Sequence, residues 1–152
     1  MKKLLLLLII PFLSFGQGWE QTFGETSSDS GWSIQQTTDG GYIITGHTDS
    51  SGNGDRDVYL IKTDENGQEQ WSQTFGGTYS FGYSVQQTTD GGYIITGGIY
   101  SLPNSSPGNG YTDVYLIKTD GNGQEQWSQT FGGTSSDYGW SVQQATDGGY
   151  II

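Results

Sequence analysis

Oxygen-bearing side chains stand at alternate positions in one short polar stretch of the chain. They are Asp49, Ser51, Asn53, Asp55 and Asp57, with Gly54 at the sixth position of the stretch. This pattern is typical of the start of a calcium-binding loop, because Ca²⁺ takes oxygen ligands from a loop that turns sharply at such a glycine. The twelfth position is Leu60, where a calcium loop places a bidentate glutamate. The pattern therefore leaves two interpretations open, a calcium site and a solvated, turn-rich loop.

Two sets of aromatic side chains recur along the chain. The first set is Trp19, Trp71 and Trp127, and the second set is Trp32, Tyr83 and Trp140. Packing between neighbouring structural units explains both sets, because large aromatic side chains bury much area at a low entropy cost. The second set directly precedes a predicted strand near a loop, which also fits a platform for stacked sugar rings. We therefore predict the second set as candidate ligand-binding residues, with unit-to-unit packing as the alternative.

The sequence offers no complete catalytic set. His47 is the only histidine, and Gly98 is its counterpart in the next repeat. A Ser-His-Asp mechanism would need His47, and a polar residue at a strand end explains it equally simply. Glu69 and Glu125 recur at matched positions, as a structural or solvating pair does, whereas an active site is built once. We predict no catalytic and no cofactor-binding residues, and calcium as the one candidate ion.

All these residues belong to a sequence that is repeated. WEQTFG at 19–24 returns as WSQTFG at 71–76 and 127–132, and DGGYIITG at 39–46 returns at 90–97. The first tryptophan set repeats after 52 and then 56 residues (71 − 19 and 127 − 71). In an all-β protein, a repeat of this length indicates a propeller blade, a unit that cannot bury its faces alone.

Each unit is predicted to form four antiparallel strands. In the first unit these are Trp32–Thr38, Tyr42–Thr45, Val58–Ile61 and Glu69–Phe75. Asp39-Gly40 and Asn66-Gly67 predict two-residue hairpin turns. The second and third strands are continuously apolar, which indicates that both of their faces are covered, as in radially stacked blades. The predicted fold is therefore all-β, a β-propeller of four-stranded antiparallel blades of about 50 residues, with about two and a half blades present.

The predicted organisation has a leader followed by repeats. Residues 1–16 combine a basic start, an apolar run and small residues, as a signal peptide does, and the run is too short to be a transmembrane segment. Residues 17–31 are predicted as a lone closing strand, Trp19–Phe23, with its connector. The units follow at 32–76, 77–132 and 133–152. Because closed rings use about four to eight blades, we expect missing blades of the same chain, or self-association, to close the ring.

Charge and cysteine content narrow the partners. The net charge is −11, and only Arg56, Lys62 and Lys118 are cationic after residue 16. This argues against nucleic acid, whose phosphates need a basic face. The absence of cysteine excludes disulfides and zinc–thiolate sites. We expect a protein or glycan partner that contacts the loops, above all the loop 99–112, which differs most between units.

The repeat resembles the bacterial β-propeller repeat family often called SBBP. The matching residues of the second unit and its flanks are Trp71, Thr74, Gly76, Gly77, Gly82, Asp90, Tyr93, Gly97, Asp113 and Lys118. The resemblance implies a propeller fold and export to the surface or surroundings of a bacterium. Residues 27–33 and 135–141 also resemble the Asp-box, a hairpin motif of other propellers. Some members of the family carry a hydrolase label such as endoglucanase, for which no residues of this chain give support.

The favoured function is a non-catalytic, secreted or cell-surface binding or scaffolding module for a protein or glycan. The alternative is a fragment of a secreted carbohydrate-active hydrolase whose catalytic residues are not in this chain. A calcium-stabilised adhesin is the third hypothesis.

Overall fold

The computed structural model of the protein describes residues 18–24, 27–49, 56–77, 79–100 and 111–152. All regular structure in these ranges is β-strand, which confirms the predicted all-β fold. No helix within them has the length and apolarity needed to cross a membrane. The predicted signal peptide, residues 1–16, lies outside the described ranges.

The described strands form two four-stranded antiparallel sheets and a short hairpin. The first sheet contains β1 (Asp29–Gln36), β2 (Tyr42–Thr48), β3 (Asp57–Thr63) and β4 (Glu69–Phe75). The second contains β5 (Ser80–Gln87), β6 (Tyr93–Tyr100), β7 (Thr112–Thr119) and β8 (Glu125–Phe131). The hairpin pairs β9 (Gln143–Gln144) with β10 (Tyr150–Ile151). In each sheet the strands lie in chain order, so the predicted four-stranded antiparallel units are confirmed.

The strand pairing is the same in both sheets. Thr45 of β2 lies opposite Leu60 of β3, and Thr96 of β6 lies opposite Leu116 of β7. A bulge follows Gly31 in β1, and an equivalent bulge follows Gly82 in β5. The two units are therefore copies in structure as well as in sequence.

Two strands extend beyond their predicted ends. β1 begins at Asp29 instead of Trp32, and β2 continues to Thr48 instead of ending at Thr45. The added residues of β2 carry no hydrophobic pattern. They pair with β1 because Gly46 lets the two backbones approach: a Cβ at Gly46 would overlap the carbonyl oxygen of Ser30.

The hairpin turns differ from the predicted two-residue form. The Gly40 amide donates to the Thr37 carbonyl, and the Thr37 amide donates to the Gly41 carbonyl, both at 2.9 Å. The loop therefore has three residues, with Gly40 in the left-handed region at φ 87°. The turn after Asp64 has the same bonding, and Gly67 takes φ 77°. A three-residue loop needs positive φ only at this last position, which is where the glycine stands.

The two sheets pack face to face around one apolar core. The first sheet contributes Ile43, Val58, Leu60 and Phe75, and the second contributes Val85, Tyr93, Ile95, Tyr115 and Ile117. On the opposite face of the second sheet, Ile94 and Leu116 pack against Val142 of the third unit. β6 and β7 are therefore buried on both faces, as their continuous apolar sequences predict.

Residues 18–24 form no strand, although the sequence predicts a lone strand at Trp19–Phe23. A strand needs a hydrogen-bonded neighbour, and no described strand lies beside this segment. Trp19 nevertheless packs on Tyr42 of the first sheet, with ring centroids 5.6 Å apart. Trp71 of β4 packs on Tyr93 of the second sheet in a similar way, at 5.8 Å. The segment thus lies against the first sheet where a preceding fourth strand would lie.

Candidate functional site

The predicted ligand-binding residues Trp32, Tyr83 and Trp140 lie together in a stack of parallel rings, which we call the aromatic row. The ring centroids of Trp32 and Tyr83 are 4.6 Å apart at an interplanar angle of 7°. Those of Tyr83 and Trp140 are also 4.6 Å apart, at 17°. Both faces of Tyr83 are therefore covered. A sugar ring that stacks on the row would have to use an end, where Trp32 is 47% and Trp140 69% exposed.

Glutamine side chains join the first strands of neighbouring units beside the aromatic row. The Gln87 amide donates to Gln35 Oε1 at 2.7 Å, and the Gln144 amide donates to Gln86 Oε1 at 2.6 Å. Gln87 Oε1 in turn accepts from the Thr38 amide at 2.9 Å. Each first strand lies at a sheet edge, whose outward backbone groups need such partners. The sequence patterns do not predict these bonds, although the Gln-Gln pair of each first strand is a signal for them.

His47 lies between the rings of Trp32 and Phe81 at the contact of the first two units. The centroid distances are 5.3 and 5.5 Å, and both rings meet the imidazole edge-on. The residue is 5% exposed, and its Nδ1 has no hydrogen-bond partner in the described part of the chain. These are the surroundings of a packed side chain, which agrees with the simpler of the two sequence interpretations.

We expect acid to weaken the protein through His47. Burial lowers its pKa from the usual 6.5 and nearby Arg56 lowers it further, while Asp49 and Asp29 act in the opposite direction. A lowered folded-state pKa means that the stabilisation is complete above 6.5 and is lost as the pH falls through the folded value. The thermal midpoint should fall between about pH 7 and about pH 5, and less so in His47→Gln. Equal pH dependence of the two proteins in circular-dichroism melts would contradict this assignment.

The predicted calcium ligands are only partly described. Asp49 and Asp57 lie in the described ranges, whereas Ser51, Asn53 and Asp55 lie outside them. Asp49 Oδ1 accepts a hydrogen bond from Arg56 Nε at 3.0 Å. A guanidinium at this carboxylate disfavours a second cation there. Among the described residues, no cluster of three or more His, Cys, Asp or Glu side chains could hold a metal, and calcium binding stays a prediction.

Each unit also contains a buried lysine held by an aspartate, which we call the lysine latch. Lys62 Nζ lies 2.9 Å from Asp39 Oδ2, and it donates to the Thr63 carbonyl at 2.7 Å and to Gln70 Oε1 at 3.2 Å. The side chain of Lys62 is 4% exposed. The latch joins β3 to the turn between β1 and β2, and a side chain at Gly41 of that turn would overlap Lys62 Nζ and the Thr63 carbonyl.

The second unit repeats the latch with Lys118 and Asp90, at 3.0 Å. Hydrogen bonds from Thr37 and Lys62 lower the pKa of Asp39 to about 2. Bonds from Thr88 and Lys118 do the same for Asp90. Two of the three cations after residue 16 are thus used inside the frame. The sequence signal was the repeated DVYLIKT, with a lysine kept in a chain that has few.

These observations define the class of the protein, an all-β repeat protein built from four-stranded antiparallel units with a stacked aromatic row at their contacts. No known protein-family profile matches the chain. Among curated proteins it is similar to the regulatory protein FlaEY of Caulobacter vibrioides, with 26% identity over 144 residues. The match covers 87% of this chain and 15% of the relative. The chain therefore spans about a seventh of the length of that relative.

Proposed function

We propose that the protein is a non-catalytic, exported β-propeller repeat protein that serves as a binding or scaffolding module for a protein or glycan. The observation that supports a non-catalytic role is the duplication of its buried charges. Lys62 with Asp39 and Lys118 with Asp90 hold equivalent places in two units. A catalytic centre needs one constellation, whereas a frame repeats its contacts in every unit.

The propeller form is supported by the way in which the units pack. The second sheet has one face against the first sheet and the other against the third unit. A ring of blades covers every sheet in this manner, and it leaves only short edges exposed. The position of Trp19 on the first sheet also fits a ring that is closed with the start of the chain.

The aromatic row provides the test of glycan binding. We expect Trp32→Ala and Trp140→Ala to reduce retention on insoluble polysaccharides by about tenfold, since each removes an exposed ring face worth about 1.4 kcal/mol. Trp127→Ala is the matched control, because it removes the same side chain from the other aromatic set. Circular dichroism would verify that all three variants remain folded. Unchanged retention of the two row variants would sink the glycan role of the row.

The same polysaccharides separate the proposal from the hydrolase alternative. Incubation with the purified chain should release no reducing ends. Release that persists through purification and disappears in an acidic-residue variant would overturn the non-catalytic assignment.

A further inference from the structure

The outer face of the first sheet is apolar and open, whereas the same face of the later units is covered. Ile34 is 60% exposed, while Val85 and Val142, which hold its position in the next units, are 6% and 4% exposed. A cavity of about 180 Å³ on this face is lined by Phe23, Ile44, Tyr59 and Ile61, among others. We call this surface the head face.

The third unit exposes the opposite kind of surface, which we call the tail face. Ile151 is 65% exposed, although Ile43 and Ile94 are fully buried at the same repeat position. Trp140 ends the aromatic row at 69% exposure. Gln143, the counterpart of Gln35, is also exposed.

The contact between the first two units shows how a tail face and a head face fit. There, β5 packs against β1 and β2 of the preceding unit. Trp32 stacks on Tyr83, and Gln35 accepts from the backbone of β5. Because the units are copies, the tail face carries the side chains of the preceding partner, and the head face carries those of the following partner. The ends of the chain are therefore complementary to each other.

The head face already holds part of what a preceding unit would supply. Trp19 packs on Tyr42, and Phe23 lines the cavity of the head face. These residues correspond to Trp71 and Phe75 of β4. A partner must then add the first strands of a unit, and β9 and β10 of the third unit are such strands.

We propose that the chain associates head to tail with a second copy of itself, the tail face of one copy covering the head face of the other. This inference rests on the proposed repeat architecture and names one partner for it. A head-to-tail contact closes into a ring when the rotation permits, and otherwise grows open chains. Two copies bring six units, which lies within the range of about four to eight that closed rings use.

Sedimentation velocity and light scattering of the purified chain test the association, with the full chain and with the chain from Gln17 onward. The single chain has a mass of 16.5 kDa. We expect a dimer, or a series of larger species, whose share grows with concentration between about 1 and 100 μM. A single 16.5 kDa species at the highest concentration would overturn the proposal.

Paired variants test the head-to-tail geometry. Ile34→Asp on the head face and Ile151→Asp on the tail face should each weaken association by about 100-fold or more, because each places an unpaired carboxylate in an apolar contact. Both positions are mostly exposed in the single chain, so folding should be unaffected. Asn122→Asp, which adds the same charge in an exposed turn, is the matched control and should associate normally.

Mixing the two variants gives the sharpest result. Each variant keeps the face that the other has lost, so the mixture should form a one-to-one dimer that neither variant forms alone. Failure of the mixture to associate would show that the contact is not head to tail. These measurements need no glycan or protein ligand, so their outcome is independent of the binding assay.

Discussion

The chain with Gly46→Ala is expected to lose its cooperative unfolding transition. Gly46 lies in β2 opposite Gly31 of β1, and a Cβ there would overlap the carbonyl oxygen of Ser30. The overlap involves backbone atoms on both sides, so no rotamer change relieves it. Separating β1 from β2 would also pull apart the contact with β5. We expect a loss of about 4 kcal/mol or more in the free energy of unfolding, measured by urea denaturation followed by tryptophan fluorescence.

Gly97→Ala should behave in the same way, since its Cβ would overlap the Phe81 carbonyl of the second sheet. Gly133→Ala is the matched control: no atom lies within 4 Å of its Cβ position, and its effect should stay within about 0.5 kcal/mol. A Gly46→Ala protein that unfolds cooperatively near the wild-type midpoint would contradict the pairing of Gly46 with Gly31 across β1 and β2.

Asp39→Ala should lower the free energy of unfolding by about 3 kcal/mol. The change leaves Lys62 as a cation in a site where its side chain is only 4% exposed. Removing one partner of a buried ion pair costs about 3 to 5 kcal/mol, and we place this case at the lower end. The reason is that the Asp39 side chain is 56% exposed, so part of its charge is screened by water. Urea denaturation at neutral pH measures the loss.

The same latch should fail in acid. The pKa of Asp39 is about 2 in the folded protein, below its usual 3.8. A lowered carboxylate pKa contributes stability above the unfolded value, and this stability is lost as the pH falls from about 4 through about 2. Asp39→Ala should therefore show a shallower loss of stability over that range than the wild type.

Asp64→Ala is the control for the latch. Asp64 stands at an equivalent hairpin turn, but its Oδ1 accepts only the backbone amides of Asn66 and Gln68. Its removal should cost about 1 kcal/mol. Equal losses for Asp39→Ala and Asp64→Ala would show that the ion pair contributes nothing beyond the turn.

Local patterns predict the strands of this protein well where the signals for both ends are local. β4 runs from Glu69 to Phe75 as predicted, because an Asn-Gly turn precedes it and glycines follow it. The same patterns miss the extension of β2 to Thr48, since that stretch is held by pairing across the sheet. They also misjudge the turns, because Asp-Gly suits two-residue and three-residue loops alike.

The candidate site depends on distances that no local pattern contains. The aromatic row could be predicted as a set, since its members share one repeat position. That Trp32 and Trp140 cover the two faces of Tyr83 depends on how the units pack. Lys62 and Asp39 lie 23 residues apart, and their pairing follows from the way in which β2 and β3 align.

The identity of the two units gives each strand a second suitable partner. Residues 42–46 and 93–97 have the same sequence, as do residues 57–64 and 113–120, so β2 could align with β7 as well as with β3. The partners are about 15 and about 71 residues away from β2, and loop closure favours the nearer one by about 1.4 kcal/mol, or roughly tenfold. That margin is narrow for a whole chain that refolds from denaturant. A ribosome at about 5 to 20 residues per second delivers β3 about 3 to 11 s before β7, whereas a hairpin forms within about 10 μs. The order of synthesis therefore protects this protein against strand exchange between its own repeats.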